Sequence, residues 1–226
     1  PGPAGEGGPP LVQGFVLPAR DWQIEDTWHV AGLKGTGSHH IAVKDVVVPA
    51  ANFFDVAGGE PCQPGPLYQA VRQILPLMHG AICVGIAEGA VDEIVTVANT
   101  GRQHLRATAP MGDSETFQSE LGRVATDVKA ARALLRVQAA SHWHHALAGT
   151  LKNEALFTLA TQTAAWVAAT CVRSAGACFA LGGGAALYET SPLQRRLRDL
   201  HVAAQHAAAH QRHYITAGKL LLESSL

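Results

Sequence analysis

Histidine offers the most chemistry in this sequence, and four of the twelve, His201, His206, His210 and His213, fall near its end. Imidazole titrates near neutrality, so it can give or take a proton under working conditions. Between Asp199 and Leu222 there is no further Asp or Glu, so no carboxylate base is available on that stretch. His206 and His210 have the i, i+4 spacing by which one helical face presents two metal ligands. No Glu, Asp or Cys nearby completes a set, and the HExxH pattern is absent, so no metal site is expected. The cluster His142, His144 and His145 is read the same way. His206, His210 and His213 would share one helical face, which suits interface or surface histidines as well as an active site.

Other residue types could handle an anion. Arg102, in Gly101-Arg102-Gln103, carries a fork of donors matched to phosphate oxygens. It fits equally an ordinary solvated cation at a helix C-terminus. Gly182, Gly183 and Gly184 permit close backbone approach to a phosphate, or simply end a helix. They lack the GxGxxG context of a dinucleotide-binding crossover. Thr36 and Ser38 sit in a Gly-rich turn ahead of a strand, where turn chemistry alone could explain them. His39 and His40 begin that strand, and only one can face inward. Trp28 reads best as β-domain core. Arg195, Arg196 and Arg198 divide between salt bridges and interface contacts, with Arg198-Asp199 structural.

The elements that would position these residues change character along the chain. Pro1 to Pro10 is almost entirely Pro and Gly and reads as a loop. β-type runs follow at Leu11–Leu17, around Trp22–Ile24, and at Ile41–Val48, the last stopping at Pro49. Three strands make a poor sheet alone, which suggests that the chain begins inside a β domain. From about Pro76 the apolar residues Leu77, Ala81, Val84, Ala87, Val91, Ile94 and Val95 follow a helical period. A second helix is expected from Glu115 to about Ala148, and a third from about Leu151 to Leu181, closed by the glycine triplet. The fourth opens at Ser191-Pro192-Leu193-Gln194, a capping-box pattern, and continues to about Leu222. The reading is α+β: residues 1–62 the remnant of a β domain, residues 63–226 an antiparallel four-helix bundle.

Composition narrows the function classes. The 226 residues are 47% hydrophobic and 15% charged, with a formal net charge of −1, which permits a sizeable core and excludes bulk electrostatic attraction to nucleic acid or an anionic membrane. No unbroken apolar segment long enough to cross a membrane is evident. Cys62, Cys83, Cys171 and Cys178 show no CxxC spacing; Cys171 and Cys178, seven apart in an apolar helical stretch, read as reduced core residues, and with no signal peptide in view the plain reading is a cytoplasmic protein.

Taken in order, several motifs resemble the C-terminal two-thirds of the acyl-CoA dehydrogenase superfamily. Trp28-His29-Val30-Ala31-Gly32-Leu33-Lys34-Gly35-Thr36-Gly37-Ser38, followed by a strand ending Val47-Val48-Pro49, looks like its middle β domain. The stretches Gly182-Gly183-Gly184-Ala185-Ala186-Leu187-Tyr188, Ser191-Pro192-Leu193-Gln194-Arg195-Arg196, Arg198-Asp199-Leu200-His201 and Gln205-His206 are similar to the branch of reduced-flavin-dependent hydroxylases. Members of that branch oxygenate phenols, hydroxylated steroid fragments, sulfur heterocycles or amino sugars. The resemblance covers nearly the whole chain after Pro10 and leaves the N-terminal helical domain absent.

The resemblance implies a two-component monooxygenase. A separate flavin reductase would supply reduced FMN or FAD, and O2 would be used to oxygenate an aromatic or heteroatom-containing small molecule. It implies His206 as the acid/base group, Arg102 as a phosphate clamp, and Gln118 of Phe117-Gln118 with the Gly182–Gly184 turn as further flavin contacts, the latter from a neighbouring subunit. Ser38 would approach flavin or substrate. A homotetramer, packed through the bundles, is implied as well. Two alternatives stay open: an acyl-CoA dehydrogenase oxidising a CoA thioester with FAD, and a non-catalytic assembly module. The dehydrogenase would need a carboxylate base, which the last helix lacks.

Overall fold

A computed structural model of the chain describes residues 13–55, 61, 63–105 and 107–223. The expected Pro/Gly loop at Pro1–Pro10, and Cys62, lie outside the described residues. The chain divides into two compact units, Pro1–Val30 with Lys34–Pro64, and Ala31–Leu33 with Gly65–Leu226.

The first unit holds four short strands among its described residues: β1 (Gln13–Phe15), β2 (Gln23–Glu25), β3 (His40–Ala42) and β4 (Phe53–Asp55). They form two antiparallel pairs, β1 with β4 and β2 with β3, with Gly14 opposite Phe54 and Ile24 opposite Ile41. The strand expected at Ile41–Val48 stops at Ala42, because Asp45 turns the chain into the left-handed region at φ 53°. β4 was not expected from the sequence. Aromatic packing ties the pieces together: Phe15 stacks on Trp22 at 5.4 Å and meets Phe53 at 5.9 Å. His39 faces inward, its Nδ1 accepting from the N–H groups of Thr27 and Trp28 at 3.2 and 3.1 Å, while His40 is exposed.

The second unit is helical: α1 (Val71–Asn99), α2 (Glu115–Leu147), α3 (Glu154–Gly182), α4 (Pro192–Ala203) and α5 (His213–Glu223). α3 packs against each of the other four and is buried around most of its circumference. Its small side chains, among them Ala160, Ala164, Ala168, Cys171 and Ala175, let α1 approach closely along Gly80, Cys83, Ala87, Ala90 and Ile94. A Cβ on Gly80 would already lie 3.1 Å from Leu135 of α2. Two segments, Pro66–Asn99 and Glu154–Leu187, are in fact long and apolar enough to cross a membrane by length and composition, contrary to the sequence reading. Both put one face into the core, while Leu75, Met78 and Ile82 of α1 remain exposed.

Caps decide where the helices start. Ser114 Oγ accepts from Phe117 N–H and opens α2 at Glu115, as expected. Asn153 Oδ1 accepts from Ala155 N–H at 2.8 Å and starts α3 at Glu154, later than the expected Leu151. Leu151 is instead buried with Ala146 and Leu156. α1 begins ahead of Pro76 and runs through it, forgoing one backbone bond near its first turns, where the buried ring still packs. At α4, Ser191 occupies the N-cap and Pro192 the first helical position, but the expected capping box is not formed. Gln194 is drawn away, its Nε2 donating to Glu189 O and its Oε1 accepting from Arg198 Nε at 2.8 Å.

The largest departure is at the end. A single helix from Ser191 to Leu222 was expected, yet α4 ends at Ala203 and α5 begins at His213. In a continued helix the Ala203 carbonyl would accept from Ala207 N–H. It is taken instead by His79 Nε2 at 2.9 Å and by His206 N–H at 3.1 Å. The intervening histidines then supply local partners for the freed backbone: His206 Nδ1 accepts from Ala208 N–H and His210 Nδ1 from Arg212 N–H.

Candidate functional site

Two groups of candidate residues emerge within the helical unit, at opposite ends of α1. The first is the α4–α5 turn. His206 sits there with an extended backbone (φ −63°, ψ 142°), exposed, at the start of a short 3-10 turn over Ala207–Ala209. Its Nδ1 is engaged by Ala208 N–H at 3.2 Å, which leaves Nε2 as the nitrogen able to give or take a proton. The expected shared face of His206, His210 and His213 does not exist, because no helix spans them. His210 forms its own turn, and His213 Nε2 donates to Ala207 O at 2.8 Å.

The sequence reading missed His79, the half-buried residue of α1 against which His206 rests. The two rings are stacked, with centroids 4.5 Å apart and planes inclined by 22°. Burial lowers the pKa of His79 first of all; its bond to Ala203 O pulls the other way, and the neighbouring His206 adds to the lowering. The only signal for it in the sequence was a lone imidazole among Leu77, Met78, Gly80 and Ala81, a pattern that core histidines share.

The second group lies past the far end of α1, roughly 30 Å from His79 at 1.5 Å per residue. α1 closes through Gly101 at φ +72°, and Arg102 follows with an exposed side chain that pairs with no carboxylate among the described residues. Its carbonyl accepts from Met111 N–H at 2.7 Å, and Gln118 Nε2 donates to Gly112 O at 2.8 Å, so both residues fasten the loop between α1 and α2. α3 terminates at Gly182, and Gly183 turns the chain at φ +55°. A Cβ on Gly183 would lie 2.8 Å from the His104 ring, which brings the glycine turn beside the Arg102 loop. His104 was also missed in the sequence. Gly184 has open space where a Cβ would stand. Ser38 belongs to the other unit, exposed, with its Oγ donating to Thr36 Oγ1 at 3.2 Å.

Among the described residues, the neighbouring arginines do not form the salt bridges expected for some of them: none of Arg195, Arg196 and Arg198 pairs with a carboxylate. Arg198 and Asp199 are structural, as expected. Arg198 Nη1 donates to Ala31 O at 2.7 Å, and the Arg196 guanidinium lies over Gly89 with its Nε buried and without a partner. His142 is buried, its Nδ1 donating to Gln138 O at 2.9 Å, while His145 Nδ1 bonds the Thr150 hydroxyl at 2.8 Å. No three His, Cys, Asp or Glu side chains among the described residues come together as a metal site would require.

An exposed arginine in the loop whose His104 lies against a positive-φ glycine turn fits a phosphate-bearing group at the Arg102 end. An imidazole with one nitrogen engaged and the other available fits proton handling at the His206 end.

Comparison with known proteins places the chain in a family. Residues 77–211, more than half of the chain, match the family model described as "Acyl-CoA dehydrogenase, C-terminal domain". An indole-3-acetate monooxygenase of Pseudomonas putida is 33% identical over 91% of this chain and 52% of its own length. The flavin-dependent monooxygenase oxygenase subunit HsaA of Mycobacterium tuberculosis is 29% identical over 92% of this chain and 55% of its own. Among solved structures, XiaF from a Streptomyces species, in complex with FADH2 and glycerol, superposes with a TM-score of 0.83 at 25% identity, over 92% of this chain and 55% of XiaF. The chain thus spans about half the length of the relatives it matches. It belongs to the acyl-CoA dehydrogenase family, as a member of the group defined by that family's C-terminal domain.

Proposed function

We propose that the protein containing this chain is the oxygenase of a two-component flavin-dependent monooxygenase, hydroxylating an aromatic or heteroatom-containing small molecule. The observation that carries the reading is His206, held in the α4–α5 turn with Nε2 available, on a stretch that offers no carboxylate. The naming of one relative as an indole-3-acetate monooxygenase and of another as the oxygenase subunit of a flavin-dependent monooxygenase supports it. An acyl-CoA dehydrogenase would need a carboxylate base, and nothing on the turn can serve as one.

Reduced FMN or FAD, supplied by a separate reductase, would bring the oxygen-activating chemistry. Arg102 would hold the flavin's phosphate by its guanidinium fork, with the Gly182–Gly184 turn offering close backbone approach and Gln118 holding the loop in place. His206 Nε2 would give or take the proton exchanged with the substrate. Ser38 would contact flavin or substrate. The separation of the two groups along α1 is beyond the reach of one flavin, so a site using both would draw them from different copies. That supports a homo-oligomer, here read as a tetramer.

The same reading takes residues 1–62 as part of a middle β domain and residues 63–226 as a C-terminal four-helix bundle, the broken last element counting as one. It also places the protein in the cytoplasm, where free buried cysteines and a reductase-supplied flavin both suit reducing conditions. The test is turnover by the full-length protein with chemically reduced FMN or FAD, isotopically labelled dioxygen and a panel of phenols and indoles. Labelled hydroxylated product, lost in His206→Ala while flavin still binds, is expected. Oxidation of CoA thioesters without label incorporation would overturn the proposal.

A further inference from the structure

We infer that His79 is a positioning residue for His206: its Nε2–H secures the carbonyl that ends α4, and its ring face carries the His206 imidazole. The inference rests on the reading of His206 as the proton-handling group. A carbonyl oxygen can only accept, so the 2.9 Å contact with Ala203 O requires a hydrogen on His79 Nε2. That bond does two things. It fixes the His79 tautomer, and it removes Ala203 O from the helical ladder, so α4 stops and His206 leaves the helix with extended backbone.

The same carbonyl also accepts from His206 N–H at 3.1 Å. One oxygen therefore ties the His79 side chain and the His206 main chain together. Two contacts then define the His206 ring: its Nδ1 edge on Ala208 N–H, and its face on the His79 ring at 4.5 Å. This separation lies within the range of offset-stacked rings. Holding a proton-transfer group to one orientation is the kind of preorganisation that raises rate without adding a new reacting group. Burial keeps His79 toward its neutral form, so the support does not place a second positive charge against His206.

Two substitutions in the full-length protein separate the two contacts. His79→Phe keeps an aromatic face and loses the donor; His79→Gln keeps a donor able to reach the carbonyl and loses the ring. With isotopically labelled histidine and no flavin present, NMR should show His79 protonated at Nε2. The His206 ring protons should be shifted upfield in wild type and His79→Phe, and return toward solvent values in His79→Gln. Under turnover with reduced flavin, each variant should lose about tenfold in product-forming rate, the size of effect expected when one ordinary contact no longer fixes a reacting group. A His79 protonated only at Nδ1, or His206 signals indifferent to His79→Gln, would overturn the inference. If His206→Ala impairs hydroxylation but both His79 variants turn over normally, the positioning role alone falls. If His206→Ala hydroxylates as wild type, the catalytic reading falls and takes the inference with it.

Discussion

The backbone N–H of Leu33 donates to Asp199 Oδ1 at 2.6 Å, joining residues 166 positions apart. Leu33 occupies the left-handed region at φ 51°, a conformation that a branched side chain adopts only under external hold. The clamp is double, because the adjacent Arg198 donates to Ala31 O at 2.7 Å. Between them, Gly32 passes so close to α4 that a Cβ would lie 2.4 Å from the Arg198 carbonyl oxygen. The Gly32, Arg198 and Asp199 of the sequence motifs thus serve one packing contact.

Asp199→Ala should destabilise the protein by about 1–3 kcal/mol, the cost of removing a hydrogen bond to a charged group. Asp199→Asn, which retains an acceptor, should cost less. Gly32→Ala should be at least as damaging as Asp199→Ala, since backbone rather than a flexible side chain would have to move. Urea unfolding of the three variants checks the order, and equal losses for Asp199→Ala and Asp199→Asn would show that the hydrogen bond is not what holds the clamp.

The glycine triplet should not respond uniformly. Gly183→Ala combines positive φ with a Cβ 2.8 Å from His104, and should cost roughly 1–3 kcal/mol. Gly184→Ala meets open space at ordinary φ and should stay within about 0.5 kcal/mol of wild type. Thermal melting of the pair distinguishes a turn that demands glycine at one position from one that demands it throughout.

Arg102→Ala should weaken binding of FMN or FAD to the full-length protein by about tenfold, as loss of a charge-assisted contact to phosphate would. Its side chain is exposed, so the melting temperature should hardly change. Arg102→Lys should recover only part of the affinity, because a point charge replaces a fork of donors. Flavin titration followed by fluorescence provides the measurement; unchanged affinity in Arg102→Ala would remove it from the site.

Burial pushes the Cys83 thiol up to about 11, and those of Cys171 and Cys178 to about 12. Below 9.0, the ordinary value, the folded and unfolded thiols are both protonated, and their contribution to stability is fully present. As pH rises from 9.0 toward 12, the unfolded thiols ionise before the folded ones, so stability falls across that window. At pH near 8, iodoacetamide should leave these three cysteines unlabelled in the native protein and label them in denaturant, as peptide mass spectrometry would read out.

Much of the helical architecture was legible because it is local. The apolar period through Ala87, Val91 and Ile94 states a helix in residues a few positions apart. The glycine triplet marked the end of α3 for the same reason: positive φ at Gly183 is a property of one residue. The candidate residues His206 and Arg102 were legible as types and positions, but their surroundings were not. His39 could be told from His40 only by which ring reached the Thr27 and Trp28 amides.

By itself, the sequence determined where most of the helical segments lie, that the second begins at Glu115, and that no carboxylate follows Asp199 before Leu222. These depend on intrinsic propensity and short-range hydrogen bonding. Only the tertiary structure decided that the last helix breaks, because the acceptor that breaks it, Ala203 O, is claimed by a histidine 124 residues earlier. A continuous helix and a broken one satisfy the local pattern of Ala203–Ala209 about equally. The choice falls to a bond and a ring contact that exist only once α1 and α4 are side by side.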